Sequence, residues 1–455
     1  MALIDTDDRD GFSGKFGIVA AAAGSAIGLG NIWRFPYVAG ENGGGAFLLF
    51  YLLFVLAIGI PVILSEFVIG RKARSNALGS FRILSPGTPW WIIGFMGIVA
   101  AFAILSFYST VAGWTLEYLV LAISGSFAGK SPEQLAEGFG EFTQSSFRPL
   151  LWQMVFMGLT ALVVLGGVRK GIEKYTKVLM PLLAILIVAI CVRSLTLPGA
   201  AAGLEFLFKP NFEKITLQSV LMALGQAAFS LSIGMGALIT YGSYIRKDTP
   251  LMGTAFQIAS ADTIIAILSG VMIFPALFAL GGSPQGGPGL VFITLPQIFQ
   301  AMPGGFYFSI AFFFLLSVAA LTSTISLLEV VVAYLKDEKK MSRPKATLLG
   351  TISISAIGVF CTLSFGPLKG FTIFGKTIFD LMDYAAANLF LTFGALFIVI
   401  YTGWKLGKAR FFEELQHGSK VNPLLLNVIV FIIKYVAPLA IGAVAVGAFF
   451  MKGLT

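Results

Sequence analysis

The residues able to do chemistry are few, and most of them stand inside apolar sequence. His417 is the single histidine, and Cys191 and Cys361 are the only cysteines. A catalytic triad, a disulfide framework and a histidine–cysteine metal cluster therefore lack raw material. No nucleophile–base pair is visible either, so the chain is expected not to be an enzyme. What remains are carboxylates, hydroxyls and glycines. Asp262 is the only acid in the apolar stretch 252–280, and an ionisable group at membrane depth is costly enough to be functional by default. Arg34 and Asp383 lie in two further apolar stretches; each needs a counter-charge, and pairing them across a cavity would relieve both. Thr322 and Ser323 place two hydroxyls in another. Such hydroxyls suit a cation, but they also bond back to helix carbonyls, and the pair alone does not separate the two readings.

Two glycine-interrupted motifs are more informative. Ile27-Gly28-Leu29-Gly30 and Ile233-Gly234-Met235-Gly236 stand at corresponding places in the two halves of the chain. Glycine weakens helix continuity, and broken backbone at membrane depth survives only where it lines a cavity or is buried in protein. Close packing of helices also uses glycine; two matching motifs favour the break. A break exposes N–H groups at one new end, which suit a carboxylate, and carbonyls at the other, which suit a cation. Two breaks face to face form a site for a zwitterion with small cations beside it. Asn31, Ser230, Ser232 and the Thr322-Ser323 pair supply the uncharged oxygens that sodium needs.

The elements that carry these residues are long apolar helices. The chain is 57% hydrophobic and 12% charged, where a soluble domain has roughly a quarter of its residues charged. Helices are expected at about 16–38, 44–70, 90–125, 149–167, 175–196, 216–244, 252–280, 305–335, 346–365, 377–404 and 424–451, each with the ~20 apolar residues of a span. The fold class is an all-α membrane protein of about eleven transmembrane helices, with 1–455 as a single transporter domain. Five helices per block is an odd number, so 16–196 and 216–404 form a 5+5 inverted repeat with helices 1 and 6 broken, and 424–451 is an additional helix. About two thirds of the 31 lysines and arginines fall in loops on one side. That is the positive-inside pattern. It places the N-terminus in the cytoplasm and the C-terminus outside a cell membrane, and it makes the net charge of +9 a topology signal with no nucleic-acid partner implied. The acidic opening MALIDTDDRDG argues against a cleavable leader. The longest polar loop is expected at 130–148. The uncharged stretch 281–304 reads as a re-entrant or capping loop.

The sequence resembles the neurotransmitter:sodium symporter family, in its bacterial, leucine-transporter-like amino-acid branch. The resemblance covers about 9–408. It rests on GSAIGLGNIWRFPYVAGENGGGAF at 24–47, Ser65-Glu66, Tyr108 with Trp114, the RKGIEK run at 169–174, GQAAFSLSIGMGALITYGSYIRKD at 225–248, ALTSTIS at 320–326, and Asp380 with Asp383. The inverted repeat agrees with the known architecture of that family.

The resemblance implies specific roles. One sodium would be held by the Ala26 carbonyl, Asn31, Ser230, Asp262 and the substrate carboxylate. A second would be held by the carbonyls of Gly24, Ile27 and Ala319 and the hydroxyls of Thr322 and Ser323. The substrate carboxylate would meet the N–H groups of Leu29 and Gly30 and the Tyr108 hydroxyl; its ammonium would meet the carbonyls of Ala26, Phe229 and Ser230. Ile104, Tyr108, Phe229, Ser232, Met235, Ser323 and Leu327 would form the side-chain pocket. Arg34 with Asp383 would be the external gate and Arg9 with Asp337, near Ser243 and Tyr244, the internal one. Glu66 would brace the broken sixth helix. Two positions depart from the family pattern. Asp262 stands where the family often has Asn, and Ala266 stands where chloride-dependent members have Ser, so no chloride requirement is expected. Monoamine carriers of the family place an acid where this chain has Gly28, which leaves room for a ligand's own carboxylate. The expected function is sodium-coupled symport of neutral hydrophobic L-amino acids, leucine-sized to aromatic, by alternating access, the empty carrier returning with Asp262 protonated. The alternative is a sodium- or proton-coupled carrier of another small zwitterion or amine on the same scaffold.

Overall fold

A computed structural model describes residues 11–284, 290–418 and 421–450. Among these residues the chain is helical and forms no strands. The first expected span is made by α1 (Lys15–Ala26) and α2 (Gly30–Glu41), which meet at a bend of 48°. There follow α3 (Gly45–Ala73), α4 (Ala77–Leu84), α5 (Trp91–Ile123), α6 (Pro132–Gln144), α7 (Arg148–Leu165), α8 (Val168–Leu195) and α9 (Ala200–Phe208). The second interrupted span is α10 (Leu217–Ser230) and α11 (Ala237–Gly242). The remainder is α12 (Leu251–Ala279), α13 (Thr294–Ala301), α14 (Gly305–Lys339), α15 (Arg343–Leu363), α16 (Ile378–Leu406), α17 (Lys408–Gln416) and α18 (Pro423–Gly447). Nine of the described helices are long and apolar enough to cross a membrane unbroken, and α1–α2 makes a tenth if the bent pair is one span. The expected span 216–244 is present as α10 and α11, separated by residues 231–236.

The short helices are where expectation and structure differ. The loop expected at 130–148 contains α6. Its N-terminus is a capping box: Ser131 Oγ accepts the Gln134 N–H at 3.3 Å, and Gln134 Oε1 accepts the Ser131 N–H at 2.9 Å. The spacing S-x-x-Q was a readable start signal. The RKGIEK run is helical too, so α8 begins at Val168 and not near 175. In the uncharged stretch 281–304, Leu290, Val291, Phe292, Leu295, Ile298 and Phe299 are buried, as a capping segment requires; residues 285–289 lie outside the described residues.

The long helices wrap the interrupted ones. α1 packs against α8, α12 and α14; α10 and α11 pack on α3; α14 packs most extensively on α5. Two glycines let backbones touch. A Cβ on Gly234 would stand 2.5 Å from the Leu391 carbonyl oxygen, and one on Gly394 would stand 2.6 Å from the Gly234 carbonyl oxygen. Any larger residue would force α16 off the second interruption.

A buried ion pair ties α17 to the end of α3. Arg71 is fully buried; its Nε lies 2.6 Å from Glu414 Oε1, its Nη1 donates to the Thr249 carbonyl at 2.7 Å, and its Nη2 donates to the Glu414 carbonyl. Removing one partner of such a pair strands a buried charge, whereas replacing both by apolar groups is close to neutral. Glu414→Ala is therefore expected to destabilise the protein by about 3–5 kcal/mol, and the double change Arg71→Met with Glu414→Leu to recover most of that loss. Thermal unfolding in detergent measures both.

Candidate functional site

α1 stops at Ala26 because Ile27 turns to an extended conformation, φ −75° and ψ 104°. The groups released there are capped by side chains. The Gly28 N–H donates to Asn31 Oδ1 at 3.1 Å, the Leu29 N–H donates to the Tyr108 hydroxyl at 3.0 Å, and the Gly30 carbonyl accepts Gln226 Nε2 at 2.9 Å. The second interruption takes its shape from left-handed residues: Ser232 at φ 56°, Gly234 at 85° and Gly236 at 75°. For Ser232 this is a strained conformation costing about 1–3 kcal/mol. It aims the Ser232 hydroxyl at the Ser25 carbonyl, 2.9 Å away, and so stitches one break to the other. Glu66 Oε1 accepts the Gly234 N–H at 2.7 Å, the bracing contact expected of it.

Between the breaks lies a buried cavity. Ala26, Gly30, Ile104, Tyr108, Phe229, Ser232, Met235, Ser323 and Leu327 line it. Of the other residues expected to bind substrate, Leu29 presents its N–H to Tyr108 and Ser230 turns toward Asp262. Ser25 and Ser326 also face the cavity and were not foreseen. At Gly28 a Cβ would collide with Ser323 Oγ and stand 2.9 Å from the Tyr108 hydroxyl, so glycine keeps this corner open.

Two clusters of oxygens flank the cavity. In the first, Asp262 is completely buried. Asn31 Nδ2 donates to Asp262 Oδ1 at 2.8 Å, the Ser230 hydroxyl to Oδ2 at 2.8 Å and the Tyr51 hydroxyl to Oδ2 at 3.1 Å. Three donors from α2, α10 and α3 thus converge on one acid of α12. In the second, the Thr322 hydroxyl donates to the Ala319 carbonyl at 3.0 Å and lies 3.4 Å from the Ile27 carbonyl, while the Ser323 hydroxyl lies 3.5 Å from it. Back-bonding and reach toward the break occur together. Hard cations take such carbonyl and hydroxyl oxygens as ligands, and both hydroxyls approach the Ile27 carbonyl. Gly24 adjoins them, its notional Cβ 3.3 Å from that of Thr322.

The gates are less complete. Arg34 and Asp383 line one cavity with Trp33, Tyr37, Phe107 and Phe379. Arg34 nevertheless donates to Gln226 Oε1 at 3.2 Å and lies over the Phe229 ring at 4.7 Å, so the expected ion pair with Asp383 is not made in this structure. Asp337 Oδ2 accepts the Asn76 N–H at 3.0 Å; Arg9 lies outside the described residues. On the same side the Tyr244 hydroxyl donates to Glu329 Oε1 at 2.8 Å, and Arg343 pairs with Glu329 at 2.5 Å. Sequence reasoning missed Tyr51, Gln226 and Glu329. Each is a polar group in an apolar stretch, the signal that had singled out Asp262.

These features are those of a membrane protein built around a central cavity, and comparison with known proteins gives its class. The sodium:neurotransmitter symporter family matches residues 9–136 and 134–452. The sodium-dependent transporter YhdH of Bacillus subtilis is 40% identical over 430 residues, 94% of this chain and 95% of its own length. The sodium-dependent transporter MJ1319 of Methanocaldococcus jannaschii is 30% identical, over 93% and 90%. The crystal structure of MhsT in complex with L-phenylalanine matches with a TM-score of 0.90 at 47% identity, covering 97% of this chain and 100% of that one. The chain belongs to the sodium:neurotransmitter symporter family. It is a multi-pass, sodium-coupled membrane transporter.

Tyr51 offers a test of the first cluster that does not depend on transport. Tyr51→Phe removes one of three side-chain donors to a buried carboxylate and is expected to cost about 1–3 kcal/mol. In an Asp262→Asn background the cost should shrink, giving a coupling energy of about 0.5–3 kcal/mol in a double-mutant cycle of thermal unfolding in sodium-free buffer.

Proposed function

We propose that the chain is a sodium-coupled symporter of neutral hydrophobic L-amino acids, leucine-sized to aromatic, working by alternating access around the cavity between the two breaks. The observation that carries this reading is the division of the cavity wall. One end offers the Leu29 N–H and the Tyr108 hydroxyl, with the corner at Gly28 left open. The rest of the wall is uncharged and mostly apolar, with Ile104, Phe229, Met235 and Leu327 beside serines, and no charged side chain lines the cavity among the described residues. A carboxylate fits the first end and an uncharged side chain the rest. Met235 is unbranched and can repack around guests of different size. L-phenylalanine bound to MhsT supports the same class of ligand.

Among the groups that would meet the substrate, the Leu29 N–H donates to the Tyr108 hydroxyl. The arriving carboxylate takes the Leu29 N–H and the Tyr108 hydroxyl, and its ammonium takes the carbonyls of Ala26, Phe229 and Ser230. One sodium joins Asn31, Ser230, Asp262, the Ala26 carbonyl and the substrate carboxylate. The other joins Gly24, Ile27, Ala319, Thr322 and Ser323. Asn31 must present its amide oxygen to the first sodium. Asp262 supplies the fixed negative charge, and Ala266 offers no hydroxyl to an anion, so transport proceeds without chloride. Arg34 with Asp383 closes the outer path and Arg9 with Asp337 the inner, the inverted halves 16–196 and 216–404 rocking between the two states with the basic loops on the cytoplasmic side.

Proteoliposomes containing the full chain are expected to accumulate labelled L-leucine and L-phenylalanine under an inward sodium gradient, equally well in chloride and in gluconate. Leucine, phenylalanine and tryptophan should compete, whereas glutamate, lysine and phenethylamine should not. Gly28→Ala, which fills the carboxylate corner, is expected to weaken uptake at least about tenfold, a loss of about 1.4 kcal/mol. Uptake indifferent to the sodium gradient, or displaced better by lysine than by leucine, would refute the proposal.

A further inference from the structure

We infer that the substrate cavity contains a hydrogen-bond-accepting subsite, built by Ser25 and Ser326, that selects amino acids whose side chain carries a donor at its tip. A phenol O–H or an indole N–H satisfies it; an equally bulky side chain without a donor binds more weakly. The inference rests on the proposed amino-acid reading of the cavity and goes beyond it by naming the side-chain chemistry.

Both serines line the cavity and are almost wholly buried, at 3% and 1% exposure. Neither belongs to the two oxygen clusters assigned to sodium. Their hydroxyl protons are already committed. Ser25 Oγ donates to Ser326 Oγ at 2.8 Å, and Ser326 Oγ donates to the Ser323 carbonyl at 2.8 Å, one turn back on α14. The two other serines of the wall are turned the same way: the Ser232 and Ser323 hydroxyls both donate to the Ser25 carbonyl, at 2.9 and 3.3 Å. Four hydroxyls therefore bring no proton to the cavity.

What they bring is lone pairs. A serine hydroxyl has one proton and two acceptor positions. Ser25 Oγ keeps both positions open, and Ser326 Oγ keeps one after accepting from Ser25. A hydroxyl pair whose donors are spent inside the protein is an acceptor surface. A guest that ends in C–H buries these lone pairs without partners, and a buried polar group left unpaired costs more than a made hydrogen bond gains. Sites built to bond a substrate O–H or N–H reject the analogue lacking it far more strongly than apolar pockets sort one hydrocarbon from another. The acceptor-only serine pair also turns away a carboxylate tip, and burial excludes an ammonium despite its protons.

L-tyrosine and L-phenylalanine differ by one hydroxyl, and L-tryptophan and 1-methyl-L-tryptophan by one N–H proton. Competition against sodium-driven uptake of labelled L-leucine by the full chain in proteoliposomes reads both pairs. Wild type is expected to prefer tyrosine over phenylalanine, and tryptophan over its N-methyl form, by roughly tenfold. In Ser25→Ala and Ser326→Ala the tyrosine-to-phenylalanine ratio is expected to fall to about one, and in Ser326→Thr, which keeps the hydroxyl, to stay near wild type. A wild type that treats both pairs alike, or alanine variants that keep the preference, overturns the subsite while leaving the amino-acid reading intact. Absence of sodium-driven uptake of every amino acid overturns both. The wild-type ratios decide the matter even if a variant fails to fold.

Discussion

Lipid offers no hydrogen bonds to a broken backbone, and much of this molecule's interior follows from that constraint. Each interruption frees N–H and C=O groups that must find partners inside the protein. Asn31 caps Gly28, Tyr108 caps Leu29, Gln226 caps Gly30 and Glu66 caps Gly234. These are not accessory contacts laid over a finished fold. They are the reason polar side chains from α2, α3, α5 and α10 gather around the interruptions, and the same gathering makes a cavity that can hold a polar guest. Stability and recognition draw on one set of donors and acceptors.

This sharing gives the protein a satisfied interior. Asp262 has three side-chain donors, and the Thr322 hydroxyl has a carbonyl on its own helix. A guest therefore competes with internal partners, and its net gain is the difference between two satisfied states.

Much of this was legible in the sequence because the strongest signals are long-range in composition but local in chemistry. A span needs a run of apolar residues of fixed length, so the long helices were readable to within a few residues at most ends. The two glycine motifs marked the interruptions because helix continuity has few other ways to fail so regularly. The short helices were hidden: α4, α9, α13 and α17 each have only about two turns, too few for apolar length to register. α6 could have been found from Ser131 and Gln134, whose spacing was overlooked in a polar stretch. The pairing of Arg34 depended on how far α16 stands from α2, a distance that residue types alone do not carry; the structure gives the guanidinium to Gln226 and Phe229 instead. Ser25 and Ser326 were invisible as cavity residues because their exposure to a guest depends on which way α1 and α14 are rotated.

The contact between Gly234 and Gly394 has a mechanical meaning. Two main chains in direct touch leave no compressible side chain to absorb a displacement. α16 therefore rides on the second interruption like a follower on a cam, and the same helix carries Asp383 into the cavity it shares with Arg34. The peptide units around Gly234, deep in the protein, and the acid Asp383 are thus joined through one rod with no side chain between them and the interruption.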